Sequence, residues 1–373
     1  MLSFWEKSSL VEVDIAIVGG GLVGLSVAAS LKEKFPSKSV TIFERSCLPY
    51  GASTRNAGFA CFGSLTEMLS DIHQMGEENA RELVFQRWMG LQITRKRLSD
   101  QAIGFLPAGG FELVDSNQNY NEAVEKVNFL VDDFIPDYIS LSNAHKSTLG
   151  IVATGDVYSM KDEGQVHTGE LMKAMEKYVL QLGVMIRTGS EVIGVEGNSL
   201  TIKDQYRGNI DFSADKIVIC NNAFAASLIP DVEVQPGRGQ VFITHPIPNL
   251  TFRGNLHVDE GFYYLRNVGD RLLFGGGRNI DFQAEETTEF ALNEMIQKTL
   301  ESKLNVLFGE AFKFEVDQRW TGIMAFGDDK RPIVKRLDDT IIIAVKMGGM
   351  GIALAGYIGE EVAELVEGVT KIS

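Results

Sequence analysis

The chain has 373 residues, 45% of them hydrophobic and 23% charged, the proportions of a water-soluble globular protein with material for two domains or one large one. Its 35 Lys and Arg against 50 Asp and Glu leave a net charge of −15, which speaks against nucleic acid or an anionic membrane as a main partner. The three cysteines (Cys47, Cys61, Cys220) lack a C-x-x-C spacing and the five histidines are scattered, so neither a disulfide framework nor a metal site is expected. No apolar run reaches the roughly 18 residues of a membrane span and MLSFWEKSSL is not a signal peptide, so the expected location is the cytoplasm.

Residues 11–18, VEVDIAIV, read as a strand entering a core. GGGLVG follows at 19–24, then LSVAASLKEKF with helical spacing, ending before Pro36, and SVTIFE at 39–44 as a second strand. Gly19, Gly21 and Gly24 thus form G-x-G-x-x-G inside a β-α-β unit. The first glycine permits the tight turn, the second lets the backbone approach a diphosphate, and the third lets helix and strand pack closely. Glu44 ends the second strand twenty residues after Gly24, where a carboxylate can accept hydrogen bonds from ribose hydroxyls and would repel the extra phosphate of NADP. The motif's place at the start of the chain and the small-residue loop GASTRNAGFACFG at 51–63 favour FAD over NAD.

Further along, 76–101 and 121–134 read as helices and 111–115 as a short strand. Residues 168–182 form an amphipathic helix with Thr168 as the expected N-cap, followed by strands in GVMIRTG, SLTIKD and DKIVICNNA. After Pro230 the segments VQPGRGQVFITH, GFYYLRNV and DRLLFGGGRN are aromatic-rich strands of an antiparallel sheet. A helical stretch at 285–307 follows. The chain then returns to α/β character with TIIIAV, KMGGMG and a helix through Val366.

In this order, DIAIVGGGLVGLSVAASL, Glu44-Arg45, GASTRNAGF at 51–59, QVHTGELMKAM at 165–175, RGQVFIT at 238–244, YYLRNVGDRLLFGGGRN at 263–279, RWTGIMAFGDDKRPIV at 319–334 and MGGMGIALAGYIGEEVAELV at 347–366 resemble the D-amino-acid oxidase/glycine oxidase/sarcosine oxidase superfamily of FAD-dependent enzymes. The resemblance implies an α/β fold: a Rossmann-like FAD-binding domain (1–84, 150–230 and 317–373) with a discontinuous antiparallel-sheet substrate domain (85–149 and 231–316). It implies that Arg45, Ser53, Thr54, Arg55, Asn56 and Gly58 meet the diphosphate and the flavin ring. Val192 would pair its backbone with adenine. Gly348, Gly349, Met350 and Gly351 would form the turn under the flavin pyrimidine, where a helix start stabilises negative charge on the reduced ring. A serine and a histidine usually stand in place of Gly348 and Met350, which leaves reactivity with oxygen open. With no cysteine in 320–334 and no histidine in 53–58, the two attachment points used by relatives, FAD is expected to be non-covalent.

On the substrate side, Phe262, Tyr264 and Arg266 share one strand face, and an arginine beside a tyrosine suits a carboxylate. Arg278, after three glycines, is the second candidate. Met324 stands where glycine-oxidase-like relatives carry a substrate-binding arginine, so that anchor is missing or relocated; with Trp320 it would line an apolar or amine pocket. Periodicity does not place His245, His257 or Tyr263, and no general base is assigned. The expected function is oxidation of the C–N bond of a small amine or amino acid by hydride transfer to flavin, with oxygen or another acceptor. A 2-hydroxy-acid dehydrogenase and a flavin-binding subunit with little turnover remain the alternatives.

Overall fold

The structure, a computed structural model, describes residues 1–368 and is built on two eight-stranded sheets. In the first, Glu12–Val18 lies between Val40–Phe43 and Gly208–Ile219, parallel to both. Met185–Arg187 and Ile341–Val345 extend the parallel set on either side, and Ile333–Arg336 closes one edge antiparallel. Ile15 to Val18 are all buried, as are Val40 to Phe43, the continuous apolar run of strands covered on both faces. This is the Rossmann-like α/β half. Gly208–Ile219 is longer than DKIVICNNA suggested. Its outer part pairs with Ser199–Asp204, which pairs in turn with Glu191–Glu196, a strand carrying Val192.

The second sheet holds, in spatial order, Val316–Phe326, Gln235–Thr244, Arg271–Gly276, Tyr263–Val268, Asn255–Val258, Gly110–Val114, Asp156–Met160 and Ile139–Leu141. It is antiparallel except where Asn255–Val258 runs parallel to Gly110–Val114. The boundaries expected from the sequence shift accordingly. Asp156–Met160 and Val316–Phe326, largely assigned to the cofactor half, are strands of the second sheet. The helix Glu77–Leu98, expected partly in the substrate half, packs on the C-terminal helix Gly351–Glu367. The N-cap of Thr168–Gln181 is His167, whose Nδ1 accepts from the Glu170 N–H at 3.2 Å, and not Thr168.

Helices Leu22–Lys34, Glu77–Leu98 and Gly351–Glu367 pack backbone against backbone at glycines. A methyl on Gly356 would sit 2.2 Å from the Gly90 carbonyl oxygen, and one on Gly359 2.6 Å from that of Ser26. Interiors this dense cannot absorb an added carbon without shifting backbone. Gly356→Ala is therefore expected to cost about 1–3 kcal/mol of stability, seen as a lower urea-unfolding midpoint. Gly194→Ala, whose added methyl approaches nothing nearer than 3.8 Å, should leave the midpoint in place.

Candidate active site

A cavity of about 530 Å³ lies between the C-terminal ends of the parallel strands, at Val18 and Phe43, and the face of the second sheet carrying Gly239, Val241, Tyr264 and Met324. Two helices open on it by their N-termini. Leu22–Lys34 begins at Gly21 and Gly351–Glu367 at Met350; neither N-cap residue caps its helix by a side chain, and neither helix has an acid in its first turn. Apart from the Leu22 N–H, which donates to Ser53 Oγ, the first-turn N–H groups are thus left as donors, with the positive ends of two helix dipoles, for an anionic or electron-rich ligand.

The glycine turn is held by backbone sterics. Gly19 has φ +108°, and a methyl there would meet the Cys220 carbonyl at 2.8 Å; one on Gly24 would lie 2.0 Å from the Gly19 oxygen. Gly19 and Gly21 line the cavity, while Gly24 lies behind it at the helix–strand contact. The Glu44 carboxylate is 7% exposed and accepts from the Gly20 N–H at 2.9 Å and the Ser46 N–H at 3.1 Å while still facing the cavity, as does Val192.

The loop at 51–59 folds onto the helix start: Ser53 Oγ accepts from the Leu22 N–H at 2.9 Å. Asn56 spends its amide on the loop itself, donating to the Ala52 and Ser53 carbonyls and accepting from the Gly58 N–H and the Thr168 hydroxyl. Arg45 lies 3.9 Å from the Phe224 ring centroid, and Arg55 sits over Phe290 and Tyr50 at 4.7 and 5.1 Å; both line the cavity. Thr54 does not join them. It is exposed, outside the cavity wall, and its hydroxyl donates to the Pro49 carbonyl at 2.8 Å. At the second helix start Gly348 and Gly349 have φ +56° and +84°, and they line the cavity with Met350 and Gly351.

The two candidate arginines part company. Arg266 lies outside the cavity wall, 6% exposed, and donates to the carbonyls of Ala57, Gly58 and Val166 at 2.7–3.1 Å and from Nε to that of Asn267. Burial without a counter-ion lowers its pKa to about 10. The expectation that it grips a substrate carboxylate is corrected: its guanidinium clamps the loop. Gly58, at φ +77°, is required beneath it, since a methyl would fall 2.3 Å from an Arg266 nitrogen. Arg278 does line the cavity, with Tyr264 and Met324. Its guanidinium lies 4.2 Å from the Phe326 ring and 5.1 Å from Phe282, and its buried Nε has no hydrogen-bond partner. Burial lowers its pKa, and that of the Tyr264 phenol rises to about 12 for the same reason.

Trp320 is absent from the wall; its indole N–H donates to the Arg55 carbonyl at 2.9 Å. Tyr263 is buried on the opposite strand face beside Lys303, and His245 is exposed near Asp317. His257 reaches the wall, as do four residues that sequence reasoning missed: Cys61, Glu67, Asn221 and Lys330. No local pattern marks these four, because strands and helices distant in the chain assemble them. Burial opposes ionisation of Glu67, yet the Lys330 ammonium and the Arg87 guanidinium hold its carboxyl well below the usual range. Burial keeps the thiols of Cys61 and Cys220 protonated and so poorly nucleophilic.

This donor set suits a dinucleotide: two helix N-termini, two arginines on the cavity wall and a fixed carboxylate at a strand end. Residues 14–365 match the family model described as FAD dependent oxidoreductase. Gamma-glutamylputrescine oxidoreductase of Escherichia coli K12 is 24% identical over 95% of this chain and 84% of its own. Among solved structures, L-proline dehydrogenase from P. horikoshii superposes with a TM-score of 0.77 at 19% identity, covering 97% of this chain and 95% of its own. Glycine oxidase from Geobacillus kaustophilus does so with 0.77 at 20% identity, covering 97% and 96%.

The clamp generates a prediction. Arg266→Met leaves the Ala57, Gly58 and Val166 carbonyls without their donor and should cost about 3 kcal/mol of stability, in flavin-free as well as flavin-loaded protein. Urea unfolding of both forms checks it; a loss confined to substrate affinity would contradict the structural role.

Proposed function

Because the chain belongs to the FAD dependent oxidoreductase family, we propose that it holds FAD non-covalently in this cavity and oxidises the C–N bond of a small amine or amino acid there. Gly19, Gly21, Ser53, Arg45 and Arg55 would hold the diphosphate, Glu44 a ribose, and the backbone at Val192 the adenine. Ala57–Gly58 and Gly348–Gly351 would hold the flavin ring. FAD, when bound, supplies the hydride acceptor. The chain's own contribution is orientation, exclusion of water and a positive helix end beside the ring.

Arg278 carries the reading on the substrate side. It is a cation on the cavity wall, packed by aromatic rings and making no salt bridge among the described residues. Its Nε is buried out of a ligand's reach, and the terminal nitrogens of the guanidinium are the donors that suit a planar carboxylate. Tyr264 and Met324 line the cavity with it, so a small amine bearing a carboxylate is the substrate class proposed. Two buried free thiols, Cys61 and Cys220, support a reducing compartment, the cytoplasm. Among the described residues no helix is long and apolar enough to cross a membrane.

The deciding experiment is anaerobic titration of the purified yellow protein with a panel of amines, D- and L-amino acids and 2-hydroxy acids, followed by loss of flavin colour; air readmitted afterwards separates oxygen from another acceptor. Bleaching by hydroxy acids alone would overturn the reading. Acid precipitation should release all the flavin to the supernatant, and colour retained in the pellet would overturn non-covalent binding. Arg278→Met should weaken binding of carboxylate-bearing amines about 30-fold or more, equivalent to roughly 2 kcal/mol, and leave simple amines nearly unaffected. Equal effects on both classes would remove Arg278 as the anchor.

A further inference from the structure

An aliphatic ammonium keeps its proton to about pH 10 in water. An amine can surrender a hydride only with its nitrogen lone pair free, so something in the cavity must take that proton. We propose that His257 takes it, with the buried Glu163 carboxylate orienting the imidazole and taking up the proton of its far nitrogen. The proposal rests on the reading of the cavity as a site of amine oxidation.

His257 sits on Asn255–Val258, lines the cavity and is 6% exposed, with its ring edge-on to Phe59 at 5.3 Å. Its Nε2 has no hydrogen-bond partner and lies 3.9 Å from Glu163 Oε2, which also has none. Both atoms are buried. Glu163 cannot turn away: its other oxygen accepts from the Phe62 N–H at 2.9 Å and the Tyr138 hydroxyl at 2.7 Å. Room for Oε2 is made by Gly110, where a methyl would fall 2.0 Å from it. At 3.9 Å the two unsatisfied buried atoms stand about 1 Å beyond a hydrogen bond, so sharing a proton requires a small turn of the imidazole toward Oε2.

The proton inventory agrees. Burial pushes Glu163 up to about 7 and His257 down to about 4, so the pair holds one titratable proton between these values and loses it above about pH 7. The other groups around the pair are committed. Glu67 is tied to Lys330 and Arg87, and burial keeps Cys61, Tyr138 and Tyr264 protonated. Glu112, on the strand beside His257, takes its hydrogen bonds from Ser64 and Thr66.

Below about pH 7, Glu163 carries the proton and donates it to Nε2, which leaves hydrogen on Nδ1 and no acceptor for the substrate. Above it, Nε2–H donates to the Glu163 carboxylate and Nδ1 offers a lone pair. The substrate N–H bond then breaks, its electron pair stays on the amine nitrogen, and an N–H bond forms at Nδ1. Ammonium becomes neutral amine, the Nε2 proton passes to the Glu163 carboxylate, and the pair has the composition of its low-pH state, a neutral imidazole and a carboxylic acid. Glu163 lies outside the cavity wall and acts only through His257.

The test begins without cofactor or substrate. Nitrogen-15 NMR of the flavin-free protein, with the His257 signals among those of five histidines identified by His257→Gln, should show the ring changing from Nδ1–H to Nε2–H between about pH 6 and 8.5. In Glu163→Gln the amide N–H faces Nε2, so the ring should stay Nδ1–H throughout. In the flavin-loaded enzyme the rate of bleaching by amines should rise across the same interval, and Glu163→Gln should lose that rise, falling about tenfold or more at the alkaline end. A wild-type ring that keeps one tautomer overturns the pair, whether or not the variant folds, and so does a Glu163→Gln profile like the wild type. If the tautomer changes but no amine bleaches the flavin, the reaction assigned to the cavity fails, and with it the role of His257.

Discussion

The site depends on how closely three helices approach one another. Leu22–Lys34 and Gly351–Glu367 both start at the cavity, and they meet because Gly359 lies against the Ser26 carbonyl; Gly356 and Gly90 bring Glu77–Leu98 to the same contact. Side chains at these positions would separate the helices by ångströms, and the two N-termini would no longer converge on one cavity. Close packing thus fixes where two positive dipole ends point. The electrostatics of the cavity follows from that placement more than from any single charged residue.

The loop at 51–59 shows how a buried charge can serve structure. Arg266 has no carboxylate partner, yet it is solvated by four main-chain carbonyls, two of the loop itself (Ala57 and Gly58), that of Val166 and that of its neighbour Asn267. Its charge is used up in holding Ala57 and Gly58 against the cavity. Arg278, from the end of the same hairpin, meets ring faces instead of carbonyl oxygens. Aromatic faces stabilise a cation but accept no in-plane hydrogen bond, so its donors are not used up by the protein as those of Arg266 are. The two arginines differ in function because their surroundings offer different acceptors.

Where Glu67 and Lys330 line the cavity, the charges are internally balanced. Glu67 and Asp71 share the Lys330 ammonium, and Arg87 reaches Glu67 from behind. The net charge of −15 is therefore a property of the outer surface and gives no measure of the field inside the cavity.

The sequence alone was enough for whatever depends on backbone sterics and local periodicity. Gly19, Gly21 and Gly24 between an apolar strand and a small-residue helix identify the turn, since only glycine avoids the Cys220 and Gly19 carbonyls there. Glu44 and the KMGGMG turn are legible for the same local reasons, as is the change to aromatic strands after Pro230. The partner of each polar side chain was not legible. Thr54 turns to Pro49, His167 displaces Thr168 as a cap, Arg266 is drawn into carbonyls from two other segments, and Glu163 meets His257 across the second sheet. Spacing along a chain encodes the face on which a side chain lies. Which buried acceptor it meets is decided only when distant segments pack, because a buried polar group must satisfy itself with whatever the tertiary fold brings within hydrogen-bonding reach.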